Sequence, residues 1–449
     1  MGAPLQVAIG LTEDWLERRE GGVKPLPKSG EVGDRSPSVR RTVDPHCAQS
    51  GHASRSVVEI ASRLIGAASP NPPGDERAAA EIVTELLSEH HLPAPSVLAL
   101  SEKRPNLLTT VRFGPGGRHL CLAGHLDTKP VGSATWGSDP LNAIVDDGRL
   151  IGLGAVDMKG AVAAMIIAAR DLVQDPPERG SLSLLFTADE EDGAQWGAQY
   201  VSSSGILEAD GIAIGEPGGL DKDFDRLHLV SRGIARFRIE VSGDQGHASL
   251  SDRSGAVNAS VELARLLVAF NDRFEPTVPA SIGSIDGWRS TVTAGVRIAG
   301  GVGYGVVPGS ALADIEVRLL PGMTRSRLER DLREFLDAQV QDDPQLRPTV
   351  VFDDPPRDWL EATSLDVDDP LVVAARTALI EVLGVAPPDG VFPGTTDAAS
   401  LQGVAGIPTL PAFGPGLISR AHGADEWVSI EALETSVKVL KALARSYCA

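Results

Sequence analysis

Short apolar runs alternate with helical stretches through the middle of the chain, and this alternation most constrains the fold. The runs read NLLTTVRF, HLCLAGHLD, SLSLLFTADEE and GIAIGEP, and a long helix of small residues is predicted to begin near Met158. Buried strands that alternate with helices predict an α/β layer with parallel strands. Because such sheets bind ligands beyond the carboxyl ends of their strands, we expect the functional residues there.

Ionisable side chains stand in the loops that would gather at this edge. They are His125 and Asp127, Asp157, Glu190 and Glu191, Glu216, and far downstream His422. Imidazole suits zinc and carboxylate oxygens can bridge two cations, so the set suits a pair of divalent metal ions. Singly, each has a plainer interpretation, since a lone histidine is usually structural and an adjacent Glu pair usually lies in a solvated loop. Their shared position at strand ends favours the metal hypothesis.

A second domain is predicted after Glu216, where the pattern changes. The segments ARFRIEVSG, VTAGVRIAG and ALADIEVRLL alternate as half-exposed strands do, and amphipathic helices are predicted over residues 256–270 and 324–340. This indicates an α+β domain over residues 229–344, inserted between two parts of the first domain, 57–228 and 345–449. Further helices are predicted over residues 370–383 and 429–447. Residues 1–56 are rich in Gly, Pro, Ser and Arg and are expected to form a disordered extension.

Composition excludes several classes of protein. The 449 residues carry 41 Lys plus Arg against 61 Asp plus Glu, a formal net charge of −20, which argues against nucleic-acid binding and a polybasic membrane anchor. No apolar run approaches the roughly 20 residues of a membrane-spanning helix, and no signal peptide is recognisable. The three cysteines are too few and too scattered for a disulfide framework. We therefore expect a cytoplasmic protein that binds neither nucleic acid nor membrane.

Six motifs, in order and spacing, carry a resemblance to a known family. They are AGHLDTKP, GLGAVDMKGAVAAM, FTADEED, IGEP, GHASLSDRSGAVNA and AHGADE. The chain from about residue 57 onward resembles the co-catalytic zinc hydrolases, which include acetylornithine deacetylase, succinyl-diaminopimelate desuccinylase, aminoacylase and glutamate carboxypeptidase. The resemblance implies a zinc-peptidase-like catalytic domain with a mixed, mostly parallel sheet, and an inserted α+β lid domain through which two subunits form a homodimer.

The resemblance also implies roles for the strand-end residues. His125 and Glu216 would bind one metal ion, Glu191 and His422 a second, and Asp157 would bridge both. Asp127 would orient the imidazole of His125, as a carboxylate behind a metal ligand often does. Glu190 would act as the general base that takes a proton from the attacking water and passes it to the leaving amine. Two zinc ions are expected, with cobalt or manganese as alternatives.

Residues outside the metal set are assigned by the same resemblance. His247 matches a histidine that hydrogen-bonds the tetrahedral intermediate and that comes from the partner subunit in dimeric members. Arg318 matches an arginine that binds the carboxylate of the substrate, for which a planar guanidinium is suited, although a surface arginine on a strand edge is the competing interpretation. Gly394 and Thr395, with Thr396, match a turn that lines the carboxylate pocket. A plain glycine-rich loop is the alternative.

Other enzyme classes lack their signatures here. The segment GLGAVDMKG offers Gly152 and Gly154 for a dinucleotide loop, but Asp157 stands where a third glycine is required. Gly-x-Ser-x-Gly, His-Glu-x-x-His and Cys-x-x-Cys do not occur. The predicted function is hydrolysis of the amide bond of an N-acyl amino acid. The alternatives are a metallo-dipeptidase or carboxypeptidase, and a catalytically silent member of the family that acts as a binding protein.

Overall fold

The computed structural model describes residues 56–279 and 288–449. The predicted extension therefore lies almost entirely outside the described residues. Helices within these ranges lack the apolar length that a bilayer-spanning segment requires. The α-helices are Val57–Gly66, Arg77–Glu89, Gly160–Gln174, Ala198–Ser204, Ser251–Ser254, Ala259–Arg273, Arg325–Asp342, Pro370–Leu383, Ala398–Leu401 and Ile430–Cys448.

A six-stranded mixed sheet, here called the main sheet, forms the centre of the larger part of the molecule. Its strands, in spatial order, are Ser96–Leu98, Asn106–Gly114, Gly180–Thr187, His119–His125, Gly211–Ile214 and Thr409–Leu410. The pairings of the first strand with the second and of the second with the third are antiparallel, whereas the last four strands run parallel to one another. The predicted α/β layer is confirmed. The carboxyl ends of these four parallel strands therefore lie at the same edge of the sheet.

Long helices cover the main sheet, and local sequence signals mark where they begin. Gly160–Gln174 is apolar nearly all round because it packs against the sheet and against both Val57–Gly66 and Ile430–Cys448. The hydroxyl of Ser429 accepts a hydrogen bond from the Ala432 N–H, 3.2 Å away, and so caps the last helix. Asp369 caps Pro370–Leu383 in the same manner.

A second sheet, entirely antiparallel, carries its own core. Its strands are Thr291–Gly300, Ser310–Leu319, Gly233–Ser242, Pro348–Phe352 and Trp359–Leu360. Helices Ala259–Arg273 and Arg325–Asp342 pack on it around a cluster of phenylalanines that includes Phe237 and Phe270. The two helices begin within three residues of their expected positions, each behind a capping side chain, Asn258 or Thr324.

The second sheet extends further along the chain than the boundary expected at residue 344. Pro348–Phe352 and Trp359–Leu360 both pair with Gly233–Ser242, although a return to the first domain was expected near residue 349. Pro348–Phe352 alternates between partly buried and exposed side chains, the pattern of an antiparallel strand that buries one face. The division into domains at these residues remains a prediction.

Short strands tie the remaining loops to the main sheet. They are Ile144–Asp146, Arg149–Ile151 and Trp427–Ser429 in one sheet; Thr363–Ser364, Leu227–Ser231 and Asp389–Phe392 in another; and the pairs Pro217–Gly219 with Gly414–Leu417 and Gly246–His247 with Val306–Val307. The pairing of Arg149–Ile151 with Trp427–Ser429 brings the loop of Asp157 beside the loop of His422. Residues far apart in the chain therefore meet at the functional edge of the main sheet.

Candidate active site

The first group of side chains that could hold a metal ion consists of His125, Asp157 and Glu216. His125 is the last residue of its strand, and Glu216 follows the neighbouring strand Gly211–Ile214 by two residues. His125 Nε2 lies 2.9 Å from Asp157 Oδ1 and 3.5 Å from Glu216 Oε1. All three residues are buried. A nitrogen and two carboxylates thus converge on one point, which suits a divalent cation.

A second group shares Asp157 with the first and adds Glu191 and His422. His422 Nε2 lies 3.1 Å from Asp157 Oδ2 and 3.3 Å from Glu191 Oε2. The two oxygens of Asp157 therefore face different histidines, Oδ1 toward His125 and Oδ2 toward His422. This is the arrangement that a carboxylate bridging two cations requires. The half-exposed side chain of His422 leaves the second group open on one side.

Asp127 supports the first group mainly through its backbone. His125 Nδ1 lies 3.0 Å from the carbonyl oxygen of Asp127 and 3.5 Å from its carboxylate. A hydrogen bond from Nδ1 to that carbonyl orients the ring so that Nε2 faces Asp157. The Asp127 carboxylate accepts hydrogen bonds from the backbone N–H groups of Glu190 and Glu191, at 3.2 and 3.0 Å. Asp127 thus links the histidine to the loop of the two glutamates.

A buried polar network lies behind Asp127, and it was not predicted from the sequence. The side-chain amide of Asn71 donates to Asp127 Oδ2 at 2.8 Å and to Asp189 Oδ1 at 3.0 Å. Arg104 in turn donates to Asn71 Oδ1 at 3.1 Å and to Glu76 Oε1 at 2.6 Å. Because Arg104 donates to the amide oxygen of Asn71, the amide nitrogen points at Asp127 and Asp189. Asp189 precedes Glu190 in the chain, and Asp127 accepts a hydrogen bond from the Glu190 N–H.

The pKa values of two carboxyl groups of the site, Glu190 and Glu216, lie above their ordinary values. Burial raises the pKa of Glu190 well above its ordinary value, and the nearby carboxylate of Glu216 raises it further. Burial likewise raises the pKa of Glu216 to about 7, with a contribution from Asp157. Buried carboxylates of like charge are costly unless a positive charge compensates them.

The carboxylates of the site raise the pKa values of its two histidines. Hydrogen bonds to Asp157 and Glu191 raise the pKa of His422 to about 10. Burial alone would lower the pKa of His125, but three surrounding carboxylates raise it well above its ordinary value. Burial would raise the pKa of Asp157, but hydrogen bonds from both histidines hold it below its ordinary value. Two imidazoles and three carboxylates thus converge in two groups that share Asp157, and this donor set fits two divalent metal ions.

A cavity of about 440 Å³ lies over these two groups. Four of the candidate metal ligands line it, and so do Glu190, the predicted substrate-binding residues Arg318, Gly394 and Thr395, and also Thr396 and Asp397. Arg318 reaches the cavity from the second sheet, with Nη2 2.8 Å from Glu316 Oε1 and Nη1 3.5 Å from Thr395 Oγ1. Thr395 Oγ1 also donates to the backbone oxygen of Arg232 at 2.6 Å. A guanidinium group thus lines the same cavity as the candidate metal ligands.

His247 does not join this cavity. It is exposed, and its Nδ1 accepts hydrogen bonds from the hydroxyl and the backbone N–H of Ser249, at 2.8 and 3.3 Å. Within one chain, then, the described residues bring together every other predicted site residue but leave His247 outside. Its role remains a prediction that involves a second subunit.

The comparison with protein families decides what kind of protein this is. Residues 121–446 match the model of peptidase family M20/M25/M40, which is well over half of the chain. The chain belongs to this family. The M20 match covers both the parallel strands of the main sheet and the whole second sheet, and it establishes the chain as a metal-dependent hydrolase.

Relatives and solved structures agree with the M20 assignment. A succinyl-diaminopimelate desuccinylase from Xanthobacter autotrophicus is 30% identical over 383 residues, which cover 84% of this chain and 95% of the relative. An M20 metallo-carboxypeptidase, Sso-CP2 from Sulfolobus solfataricus, superposes with a TM-score of 0.68 at 18% identity, covering 88% of this chain and 99% of that one. The YXEP protein of Bacillus subtilis, described as a dinuclear metal-binding M20 peptidase, gives 0.62 at 16% identity, with 87% and 96% covered. These structures share the fold.

Several further residues contact the site without having been singled out from the sequence. The ammonium group of Lys129 lies 3.2 Å from Glu191 Oε2. Asp397 accepts a hydrogen bond from Thr187 Oγ1 at 2.7 Å, and burial raises its pKa to about 7. Glu426 accepts three backbone hydrogen bonds from the loop of Asp157. Glu426 and Asp397 lie in or beside motifs that carry the resemblance, but only the fold shows what they contact.

Proposed function

We propose that this chain is a two-metal amidohydrolase that removes the acyl group from an N-acyl amino acid. The observation that carries the proposal is the placement of Asp157, whose two carboxylate oxygens face His125 and His422 beneath a cavity that Glu190 also lines. In this assignment His125 and Glu216 would hold one cation, Glu191 and His422 would hold the other, and Asp157 would be a ligand of both. When bound, the cations would supply Lewis acidity toward the scissile carbonyl group and toward water.

Glu190 is assigned as the general base. Its carboxylate takes a proton from the attacking water as the new C–O bond forms, and delivers a proton to the nitrogen as the C–N bond breaks. The products are the carboxylate of the acyl group and an amino acid with a free α-amino group. Asp127 acts behind this chemistry, because it accepts hydrogen bonds from the Glu190 and Glu191 backbone N–H groups and so fixes the direction in which both side chains leave the loop.

The substrate is proposed to bind through a carboxylate. Arg318 presents a guanidinium to the cavity beside Thr395, and the turn of Gly394, Thr395 and Thr396 forms the adjacent wall. A guanidinium binds a carboxylate with two parallel hydrogen bonds, which fixes the orientation of the ligand as well as its charge. Support for an N-acyl amino acid comes from the curated relatives, which are named as desuccinylases of an amino acid.

A metallo-dipeptidase or carboxypeptidase is the second candidate. Solved structures with this fold include an M20 metallo-carboxypeptidase and the dipeptidase Dug1p. Their sequence identities of 18% and 16% support the fold alone, whereas the relative at 30% identity carries the desuccinylase name. Deacylation is therefore the preferred activity.

The active form is proposed to be a homodimer in which His247 enters the site of the partner subunit. Two features of the chain support this. His247 is exposed and outside the cavity of its own chain, and the edge strand Thr291–Gly300 exposes apolar side chains, with Val296 61% and Ile298 62% exposed. An unpaired apolar edge strand is a surface on which a second copy can add.

Zinc is the metal proposed for the site, with cobalt and manganese as alternatives, because the donor set combines imidazole nitrogen with carboxylate oxygen.

A cytoplasmic location is proposed from the cysteines. Cys121 and Cys448 are both buried as free thiols, which suits a reducing compartment.

The test is amide hydrolysis by the metal-reconstituted protein. The panel contains N-acetyl, N-succinyl and N-formyl amino acids beside dipeptides, each with a chelator control and with Glu190→Gln as the matched inactive variant. Chelator-sensitive cleavage of acyl amino acids that Glu190→Gln abolishes supports the proposal. Preferential cleavage of dipeptides would transfer the assignment to the second candidate.

A further inference from the structure

Glu426 is a buried carboxylate in the loop that follows His422. Its side chain belongs to the segment AHGADE, four residues after His422, and the residue is 3% exposed. Its Oε1 accepts hydrogen bonds from the backbone N–H groups of Val156, at 2.9 Å, and Asp157, at 3.1 Å, while Oε2 accepts from that of Gly154, at 3.0 Å. Glu426 therefore contacts backbone N–H groups and belongs to neither candidate metal group.

The backbone of Glu426 joins the same loop. Its carbonyl oxygen accepts a hydrogen bond from the Gly152 N–H at 2.9 Å, and the next residue, Trp427, begins the strand that pairs with Arg149–Ile151. Two kinds of contact thus hold the loop of Asp157 against the loop of His422: the strand pairing of Arg149–Ile151 with Trp427–Ser429, and the side chain of Glu426. The Glu426 carboxylate extends this contact beyond the end of the strand pairing, to the backbone N–H groups of residues 154–157.

The loop of Asp157 is irregular at this point. Residues Ala155–Lys159 form an irregular turn in which Asp157 has non-helical backbone angles, φ −125° and ψ 92°. Such a turn leaves N–H groups without helical partners, and the Glu426 carboxylate satisfies three of them. On the opposite side His422 has φ 62°, in the left-handed region that favours glycine, so its position also depends on the contacts of its loop.

We propose that Glu426 is a positioning residue that fixes the bridging carboxylate of Asp157 relative to His422, and thereby sets the affinity of the site for its cations. The inference rests on the proposed two-metal function. Replacing the carboxylate with an amide places an NH₂ group among three N–H donors, so at least one hydrogen bond is lost and the loop that carries Asp157 is held less firmly. Residues behind metal ligands typically change metal affinity about 10- to 100-fold when they are replaced.

The chain offers a matched control in Asp225. This carboxylate is 5% exposed and also accepts hydrogen bonds from three consecutive backbone N–H groups, those of Leu220, Asp221 and Lys222, at 3.1, 3.0 and 3.4 Å. It does not line the cavity over the metal groups. Asp225→Asn therefore removes the same kind of loop support without touching the site.

The experiment measures metal binding and thermal stability of the full chain together. Apo-protein is titrated with Co²⁺ and with Zn²⁺, following the visible absorption of cobalt and the heat of zinc binding, for wild type, Glu426→Gln, Glu426→Asp and Asp225→Asn. We expect both Glu426 variants to bind at least one cation about 10-fold or more weakly, with an altered cobalt spectrum, because the shorter aspartate cannot reach all three N–H groups. Asp225→Asn should lower the melting temperature but leave affinity and spectrum unchanged.

A folded Glu426 variant with wild-type affinity and spectrum would overturn the inference, and so would an equal loss of affinity in Asp225→Asn. Wild-type protein that binds no cation would instead reject the proposed function itself. Should neither Glu426 variant fold, hydrogen exchange of the wild type decides. Loading with Zn²⁺ should slow exchange of the amides of residues 154–157 but not of residues 220–222, and an unchanged rate at 154–157 would reject the coupling.

Discussion

Replacing Arg104 with methionine tests the buried network behind the site. The Arg104 guanidinium lies 2.6 Å from Glu76 Oε1, and the side chains of the pair are 11% and 0% exposed. It also donates to Asn71 Oδ1 at 3.1 Å and to the carbonyl oxygen of Pro73 at 3.2 Å. Removing one partner of a buried ion pair typically lowers the free energy of unfolding by about 3–5 kcal/mol, because the other charge stays buried and unpaired. We expect Arg104→Met to lose that much at pH 8.

The loss should depend on pH in a defined direction. Burial and the charge of Asp127 raise the pKa of Glu76 to about 7, although Arg104 lowers it. A carboxyl group with a higher pKa in the folded state binds more protons when folded, so its contribution to stability is complete below the unfolded pKa and disappears as pH rises through the folded value. Loss of Arg104 removes a group that lowers the pKa of Glu76. The destabilisation by Arg104→Met should therefore be smaller at pH 5 than at pH 8.

Urea unfolding at the two pH values measures both quantities, and two further variants serve as controls. Arg63→Met removes an arginine whose contacts with Glu85 and Glu89 are more exposed, and it should cost no more than about 1 kcal/mol. The double variant of Arg104→Met with Glu76→Gln removes both charges and should be more stable than Arg104→Met alone. A loss below about 1 kcal/mol in Arg104→Met at pH 8, or a double variant that is the least stable, would refute the reasoning.

Four predictions concern the site itself. Glu190→Gln should keep fold and metal content while turnover falls about 100- to 10,000-fold, measured by steady-state kinetics on metal-analysed protein; near-normal turnover would reject the general base. Asp157→Ala should lose metal after dialysis, and two retained equivalents would contradict the bridging role. Arg318→Lys should raise the Michaelis constant more for substrates with a free carboxylate than for their amides. His247→Ala should reduce turnover about 100- to 1000-fold with a smaller change in the Michaelis constant, and the opposite pattern would make it a binding residue.

Local patterns explain why the sequence predicted the outline of the molecule. The apolar run that ends at His125 and the helix Pro370–Leu383 are encoded within a few neighbouring residues, by burial, capping and periodicity. The metal set could be assembled because each member follows a recognisable strand or motif. The short strand Pro348–Phe352 was not assigned to the second sheet, since its membership depends on pairing with Gly233–Ser242, more than a hundred residues earlier.

Asn71 and Glu426, which support the metal-binding side chains from behind, could not be predicted from local sequence patterns. Asn71 contacts Asp127 across 56 positions of sequence, and Glu426 contacts Asp157 across 269. Neither has a local spacing that distinguishes it from an ordinary turn residue, because its partners are backbone groups or side chains that only the folded sheet brings near. His247 is a different case, since its predicted partner lies in a second subunit that one chain does not contain.

The arrangement of charge explains why such distant support is needed. The site buries several carboxylates at one edge of the main sheet: Asp127, Asp157, Glu216, Asp397 and Glu426. Each would be more stable in water, and mutual repulsion would push them apart. Backbone N–H groups hold Asp127 and Glu426 in place, but the carboxylates of Asp157 and Glu216 contact His125 and remain directed at the same point. Cations at that point would offset the repulsion, so metal occupancy and stability of this edge should be linked.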